Sequence, residues 1–71
     1  MTTIEAALAK NIRKKRKARK LTQIDLSVLI DCARSNVVNW EKGRNMPSAW
    51  YLCLLADEFE CSVDELLGRK T

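Results

Sequence analysis

Seven of the eight side chains from Arg13 to Lys20 are basic, and this run is the most chemically distinctive feature of the sequence. Lysine and arginine at this density bind polyanions, because each side chain can pair with a phosphate. The charge is uneven along the chain: residues 1–44 hold eleven basic and four acidic side chains, whereas residues 45–71 hold two basic and five acidic ones. A basic first half predicts a polyanionic partner, and a merely solvated basic surface is the alternative.

Catalysis and metal binding have almost no candidate residues in this composition. The chain has no histidine, which removes the commonest general base and metal ligand. The three cysteines are too widely spaced to form a zinc site without carboxylate ligands, and two glycines cannot build a glycine-rich phosphate loop. We therefore expect no enzyme, no metal and no cofactor. Cys32, Cys53 and Cys61 are expected to be reduced, buried thiols.

The length and composition predict one globular domain spanning residues 1–71, because 46% of the 71 residues are hydrophobic. No apolar run reaches the roughly 20 residues that a transmembrane helix needs. The N-terminal segment also lacks the apolar core of a signal peptide. These features predict a cytoplasmic protein without a membrane partner.

The sparse turn residues predict an all-α fold. The chain has two glycines, Gly43 and Gly68, and one proline, Pro47, and it lacks the sustained alternation typical of strands. Five short helices are predicted. The first, third and fifth span about residues 3–19, 34–42 and 63–67. The second begins after an N-cap at Thr22 and ends at a turn at Asp31, and the fourth begins after an N-cap at Ser48 and reaches about residue 59. Three residue pairs have capping-box spacing: Thr2 with Glu5, Thr22 with Asp25, and Ser62 with Glu65.

Apolar residues recur at helical spacing and define the predicted core. They are Ile4, Leu8, Ala9, Ile12, Leu26, Leu29, Ile30, Val37, Trp40, Leu52, Leu55, Ala56 and Phe59. On the fourth helix, Trp50, Tyr51 and Leu54 fall on the outward side. An exposed tryptophan beside a leucine is typical of an interface, with Trp50 folded back over the preceding loop as the alternative.

Two helices of about eight residues joined by a short turn are the helix-turn-helix signature, here within about residues 22–42. The ordered pattern Leu21-Thr22-Gln23-x-x-Leu26, Val37-x-x-Trp40-Glu41-x-Gly43, Pro47-Ser48 and Ser62-Val63-Asp64-Glu65-Leu66-Leu67-Gly68 resembles the Cro/repressor-type helix-turn-helix family. The resemblance extends from about residue 8 to residue 68 and is strongest to lambdoid-phage repressor DNA-binding domains and Cro proteins. It implies a compact, five-helix, lambda-repressor-like DNA-binding domain. Asp31 and Ala33 depart from the family, which usually has glycine in the turn and serine or threonine before the recognition helix.

The resemblance implies that the second helix of the motif lies in the DNA major groove, where its side chains meet base edges. The candidate base-reading residues are Arg34, Ser35, Val38 and Asn39. Arginine pairs with guanine, asparagine pairs with adenine, and valine can contact the thymine methyl group. A phosphate contact or a free surface charge is the alternative for Arg34.

Polar side chains that flank this helix are the candidate phosphate contacts: Lys14, Lys15, Arg16, Gln23, Asn36, Lys42, Arg44 and Asn45. In the family, an arginine of the first helix pairs with the glutamate that ends the third helix, which implies a salt bridge between Arg16 and Glu41. A solvent-facing side chain is the alternative for Asn36. Lys17 and Lys20 are expected to be solvated.

The resemblance also implies a homodimer, weak without DNA, on a double-stranded DNA operator with two-fold symmetry. The dimer contacts of the family correspond here to Trp50, Leu54, Cys61, Ser62, Val63 and Asp64. The implied function is sequence-specific transcription regulation by blocking promoters. A restriction-modification controller or an antitoxin of the same fold is one alternative, and a protein-interaction module that does not bind DNA is another.

Overall fold

A computed structural model describes residues 3–69 as five α-helices. They are α1 (Thr3–Ala18), α2 (Gln23–Leu29), α3 (Arg34–Glu41), α4 (Ala49–Glu58) and α5 (Val63–Leu66). The predicted all-α fold is confirmed, and each predicted helix is present with ends shifted by only one or two residues. The α2 and α3 helices pack on each other, and α1 packs against both α3 and α5. None of the helices within residues 3–69 is long and apolar enough to cross a membrane.

The start of α2 is held by the predicted capping box. The Thr22 Oγ1 atom accepts a hydrogen bond from the Asp25 backbone N–H at 3.0 Å, and the Asp25 Oδ2 atom accepts one from the Thr22 backbone N–H at 2.9 Å. The hydrogen bond that the Asp25 carboxylate accepts from the Thr22 backbone N–H is the main cause that lowers the pKa of Asp25. Two of the four free amide groups at this helix end are therefore satisfied locally.

The other predicted caps differ from one another. At α5, the Ser62 Oγ atom accepts from the Glu65 backbone N–H at 3.0 Å, but the Glu65 carboxylate pairs with Lys15 instead of returning to the cap. Only the first half of that capping box therefore forms. At α3, Ala33 occupies the N-cap position without a side-chain hydrogen bond, because its methyl group cannot accept one. The box expected between residues 2 and 5 involves Thr2, which lies outside the described residues.

Residues in the left-handed region end several of the helices. Asp31, at the predicted turn after α2, has a φ of 56°, and Lys20 and Glu60 have φ values of 59° and 54°. Gly68 follows α5 with a φ of 73°. A Cβ atom at Gly68 would lie 2.8 Å from the Cβ atom of Ala7. Glycine therefore lets the end of α5 approach α1 closely.

One hydrophobic core lies between the helices. Its buried members are Leu8, Ile12, Leu26, Ile30, Val37, Trp40, Leu55, Ala56, Phe59 and Leu66. The prediction is wrong for two residues that it placed in the core, because Ile4 is 39% exposed and Leu29 is 50% exposed. Ile4 lies one turn before the first buried residue of α1. Leu29 is rotated by about 100° from the buried Ile30 around the short α2 helix, and this rotation turns it toward solvent.

Fewer side chains of α4 face solvent than the sequence predicted. Trp50 is 70% exposed, so its outward position is confirmed. Tyr51 instead packs against Trp40, with ring centroids 5.4 Å apart and the rings tilted by 51°. Such tilted aromatic pairs are favourable beyond their buried area. Leu54 is half-buried and contacts the core, as does Leu52.

The three cysteines are free thiols with different exposure. Cys32 and Cys61 are half-buried, and burial raises the pKa of both thiols. Cys53 is exposed, which contradicts the expectation that all three would be buried. Its position on α4, three residues after Trp50, places it on the solvent side of that helix.

Candidate nucleic-acid interface

The outer side of α3 carries the predicted base-reading residues. Val37 and Trp40 are buried in the core and fix the orientation of the helix. Because successive residues are rotated by about 100°, this orientation directs one group of side chains outward. The group comprises the exposed Arg34 and Ser35 and the half-exposed Val38 and Asn39. The structure thus brings all four together on one helix face.

A buried ion pair holds the end of α3 against α1, as the resemblance implied. Arg16 donates from Nε to Glu41 Oε2 at 2.7 Å and from Nη2 to Glu41 Oε1 at 2.9 Å. Arg16 Nη1 also donates to the Leu21 carbonyl oxygen at 2.8 Å. The hydrogen bonds with Glu41 raise the pKa of Arg16. Bidentate geometry of this kind fixes the orientation of both side chains.

Arg16 is consequently a poor candidate for the phosphate contact that the sequence assigned to it. The residue is only 8% exposed, and each nitrogen of its guanidinium group already donates to the protein. Three of the five guanidinium N–H groups are used in these hydrogen bonds, and the low exposure leaves little of the group accessible to a phosphate. The physical role of Arg16 is to fix α3 relative to α1.

A basic groove of about 560 Å³ lies beside this ion pair. We define the basic groove by its lining residues, which are Arg13, Arg16, Lys17, Lys20, Leu21, Thr22, Gln23, Glu41 and Lys42. Since Arg16 neutralises Glu41, the remaining cationic side chains give the groove its charge. The groove connects α1 with the first residue of α2 and the end of α3. It can therefore hold a negatively charged backbone next to α3.

Two lysines that the sequence assigned to phosphate do not line the basic groove: Lys15 lies on the α5 side of α1, and Lys14 lines a cleft that shares Arg13, Lys17, Glu41 and Lys42 with the basic groove. Lys15 forms a salt bridge with Glu65, and the hydrogen bond between them raises the pKa of Lys15. This contact directs Lys15 toward α5. Lys14 is exposed and lines shallow clefts on two sides of α1, one of them shared with Glu65. Neither residue lines the basic groove.

The remaining predicted phosphate contacts surround α3. Gln23 Nε2 donates to Glu41 Oε1 at 3.3 Å, so the Gln23 amide is held at the edge of the basic groove. Lys42 is exposed at the C-cap of α3 and lines the same groove. Arg44 is exposed, and its Nη1 atom lies 3.4 Å from Asn39 Oδ1. Arg44 can therefore influence the orientation of a predicted base-reading residue.

Asn36 and Asn45 lie on another side of α3. They line a cleft between α3, the following loop and α4, together with Trp40, Met46, Pro47, Ser48 and Tyr51. This cleft is separate from the basic groove, so the two asparagines and the basic groove would meet different parts of a ligand.

Arg13, Lys17 and Lys20 are the groove residues that sequence reasoning missed. Helical spacing was an available signal for Arg13, which lies one turn before Arg16 on α1. Lys17 is rotated by about 100° from Arg16, and Lys20 follows the end of α1, so spacing marked neither of them. Lys17 and Lys20 are exposed, as expected of solvated side chains, and they also line the groove.

The predicted dimer residues do not form one uniformly exposed surface. Trp50 and Ser62 are exposed, whereas Leu54, Cys61, Val63 and Asp64 are half-buried. Ser62 caps α5 through its side chain, and Cys61 and Val63 pack against the core. Trp50 is thus the predicted dimer residue with the largest unpartnered apolar side chain.

Comparison with known proteins gives one family and one relative. A family model described as helix-turn-helix matches residues 12–66. The HTH-type transcriptional regulator AnsR of Bacillus subtilis is 43% identical over 42 residues, which cover 59% of this chain. The matched stretch covers 36% of AnsR, so the chain spans about a third of the length of this relative. No solved structure matches the chain.

Proposed function

Because the chain belongs to the helix-turn-helix family, we propose that it is a transcription regulator that binds double-stranded DNA sequence-specifically. The observation that carries the proposal is the position of the basic groove beside the outward face of α3. A recognition helix needs polar and methyl-bearing side chains for base edges, and it needs cations beside it for the sugar-phosphate backbone. Both occur on adjoining surfaces of this domain.

In the proposed complex, the first turns of α3 enter the major groove. Arg34 donates to guanine O6 and N7, Asn39 pairs with adenine N6 and N7, and Val38 meets a thymine methyl group. Ser35 is short and can donate to or accept from a base edge or a phosphate. Arg44 beside Asn39 links base reading to the flanking backbone.

We choose the proposed phosphate contacts by where each polar or charged side chain lies in the structure, and not by its position in the basic run of the sequence. We place one DNA strand along the basic groove, with Arg13, Lys17, Lys20, Gln23 and Lys42 as its contacts. Arg44, Asn36 and Asn45 are proposed contacts beyond the other end of α3. Lys14 remains a peripheral contact, and Lys15 is left out because Glu65 holds it on the α5 side.

Selection of binding sites from random double-stranded DNA tests this proposal most directly. We expect enrichment of a short sequence that occurs twice in inverted orientation, because two α3 helices would each read one half-site. The spacing of the repeats should be about one helical turn, or about 34 Å. An unenriched pool despite tight binding would indicate sequence-independent binding. Absence of binding at low salt would favour a protein-interaction module of the same fold.

Replacement of Arg34 separates base reading from backbone binding. We expect Arg34→Ala to weaken binding to the selected site by about 1–3 kcal/mol and to flatten base preference at one position, since a bidentate arginine–guanine pair contributes about that much. The matched control is Lys17→Ala, which should weaken binding to all sequences alike. Competition titrations against single-base variants measure both effects. Equal loss on selected and random DNA in Arg34→Ala would identify Arg34 as a phosphate contact.

We further propose that the regulator binds as a homodimer that represses by occupying a promoter. One helix-turn-helix unit reads only a few base pairs, which gives too small a specificity ratio against a genome. The exposed Trp50 side chain supports a contact between two copies, because tryptophan is enriched in interface centres. The patch is small, so we propose that dimers form mainly on DNA.

Trp50→Ala is the variant that tests the dimer. We expect the variant to keep its helix content, since the Trp50 side chain lies mostly in solvent. Its titration with operator should lose cooperativity, and singly bound complexes should appear. Gel shift and circular dichroism measure the two properties. Unchanged cooperativity would mean that Trp50 does not form the dimer contact.

A further inference from the structure

A second groove lies between the ends of α2 and α4 and has the opposite charge to the basic groove. We define the acidic groove by its lining residues, which are Arg19, Leu29, Ile30, Leu54, Asp57, Glu58 and Glu60. Its volume is about 380 Å³. None of these residues is a proposed DNA contact, so DNA binding does not explain the groove, although Leu54 is also one of the dimer residues that the resemblance implied.

The accessible lining is mainly polar and carries an excess of carboxylates, with one half-exposed leucine beside them. Leu29, Ile30 and Leu54 supply the apolar side chains, and Leu29 is half exposed although it belongs to a helix that packs on the core. Val28 beside it is 72% exposed, so the apolar surface extends onto the outer side of α2. Adjoining exposed aliphatic side chains provide apolar area that a protein partner can cover.

The negative charge of the acidic groove favours a positively charged occupant. Arg19 is the only cation among its lining residues, and it contacts Glu60 at 3.0 Å and Glu58 at 3.7 Å. Asp57 forms no salt bridge within the described part of the chain. Three carboxylates against one guanidinium repel phosphate groups, which argues against a nucleic acid. They attract lysine and arginine side chains.

We propose that the acidic groove binds a protein segment that presents an apolar side chain flanked by lysine or arginine residues. An amphipathic helix places an apolar anchor and basic neighbours at residues three and four apart, which suits a short groove where the exposed Leu29 lies beside carboxylates. The inference goes beyond DNA binding and does not depend on it. A partner held here would leave α3 and the basic groove unobstructed.

A designed peptide serves as the probe because the proposal specifies chemistry. We use a fluorescein-labelled 12-residue helix of leucine and lysine, with leucines on one face. One control peptide replaces leucine by alanine, and a second replaces lysine by glutamate. We expect the leucine–lysine peptide to bind the intact domain at least tenfold more tightly than either control in anisotropy titrations. Amide shifts in a ¹⁵N spectrum should cluster at Leu29, Leu54 and Asp57.

Two variants and one matched control locate the site. Leu29→Gln should weaken binding of the leucine–lysine peptide at least tenfold, and Asp57→Lys should do so as well by reversing a groove charge. Met46→Gln removes an exposed apolar side chain that does not line the acidic groove, and it should leave peptide binding unchanged. Circular dichroism checks that each variant is folded. Operator binding should be the same for Leu29→Gln as for the unaltered chain, which keeps this test separate from the DNA proposal.

Three results would overturn the proposal. Equal affinity for the leucine–lysine and alanine–lysine peptides would mean that only charge is recognised. Amide shifts clustered at Trp50 or along α3 would place the peptide elsewhere. A dimer in sedimentation experiments that dissociates in Leu29→Gln would mean that a second copy of this chain covers the groove.

Discussion

Glu41→Ala is expected to destabilise the domain by about 3–5 kcal/mol, because it leaves the Arg16 guanidinium buried without its charge partner. The side chains of Arg16 and Glu41 are only 10% and 5% exposed, so water replaces the missing carboxylate only in part. Domains of this kind have total stabilities of about 5–15 kcal/mol, and the loss is a large share of that. Urea denaturation followed by circular dichroism measures the change.

The matched control for this variant is an exposed ion pair. Arg19 contacts Glu58 and Glu60 at the surface, and the Glu60 side chain is 84% exposed. Arg19→Ala should therefore cost no more than about 0.2–1 kcal/mol. Replacing both members of the buried pair, as in Arg16→Met with Glu41→Met, should recover much of the loss, since no buried charge remains. A loss below about 1 kcal/mol in Glu41→Ala would mean that Arg16 reaches solvent and that the pair does not order the fold.

DNA affinity is expected to fall by about 10³–10⁵-fold between 50 and 200 mM salt for a dimer that neutralises roughly 6–10 phosphates. The physical reason is counterion release: each cation that pairs with a phosphate frees a condensed ion, and added salt opposes that release. The exposed cations of the basic groove supply most of these contacts in our proposal. Fluorescence anisotropy titrations at a series of salt concentrations give the slope of log affinity against log salt.

Variants that each lack one positive charge show which residues contribute to that slope. Lys17→Gln should reduce the slope by about 0.9 for each phosphate that is no longer neutralised, which is about two units for a dimer. Lys15→Gln is the matched control, because it removes the same charge from the same helix on the side that faces Glu65. Its slope should stay close to that of the unaltered chain. A larger effect of Lys15→Gln would place the DNA on the α5 side of α1, and a flat salt response of the unaltered chain would contradict the role of the basic groove.

Most of the fold followed from the sequence because its signals are local. Thr22 with Asp25, and Ser48 and Ser62 at the starts of α4 and α5, cap helices through hydrogen bonds that span three residues. The left-handed turn at Asp31 likewise depends on one residue and its neighbours. Helix positions could therefore be predicted to within one or two residues.

Part of the candidate interface could also be predicted from local signals in the sequence. Burial of Val37 and Trp40 determines which side of α3 faces outward, and the period of the helix then assigns the other side chains. The Arg16–Glu41 pair joins residues far apart in sequence, and it was found through family resemblance and not through spacing.

The direction of each basic side chain on α1 was decided by the tertiary structure alone. Seven cations in eight residues surround the helix, so composition cannot tell which of them lie beside α3. Packing of α1 against α3 and α5 makes that choice: it directs Lys17 into the basic groove and Lys15 toward Glu65. The same applies to Leu29, whose exposure depends on how much of the short α2 helix its neighbours cover. The sequence determined the helices and their caps through interactions within a turn, whereas the charged surfaces arise from contacts between helices, which only the folded chain brings together.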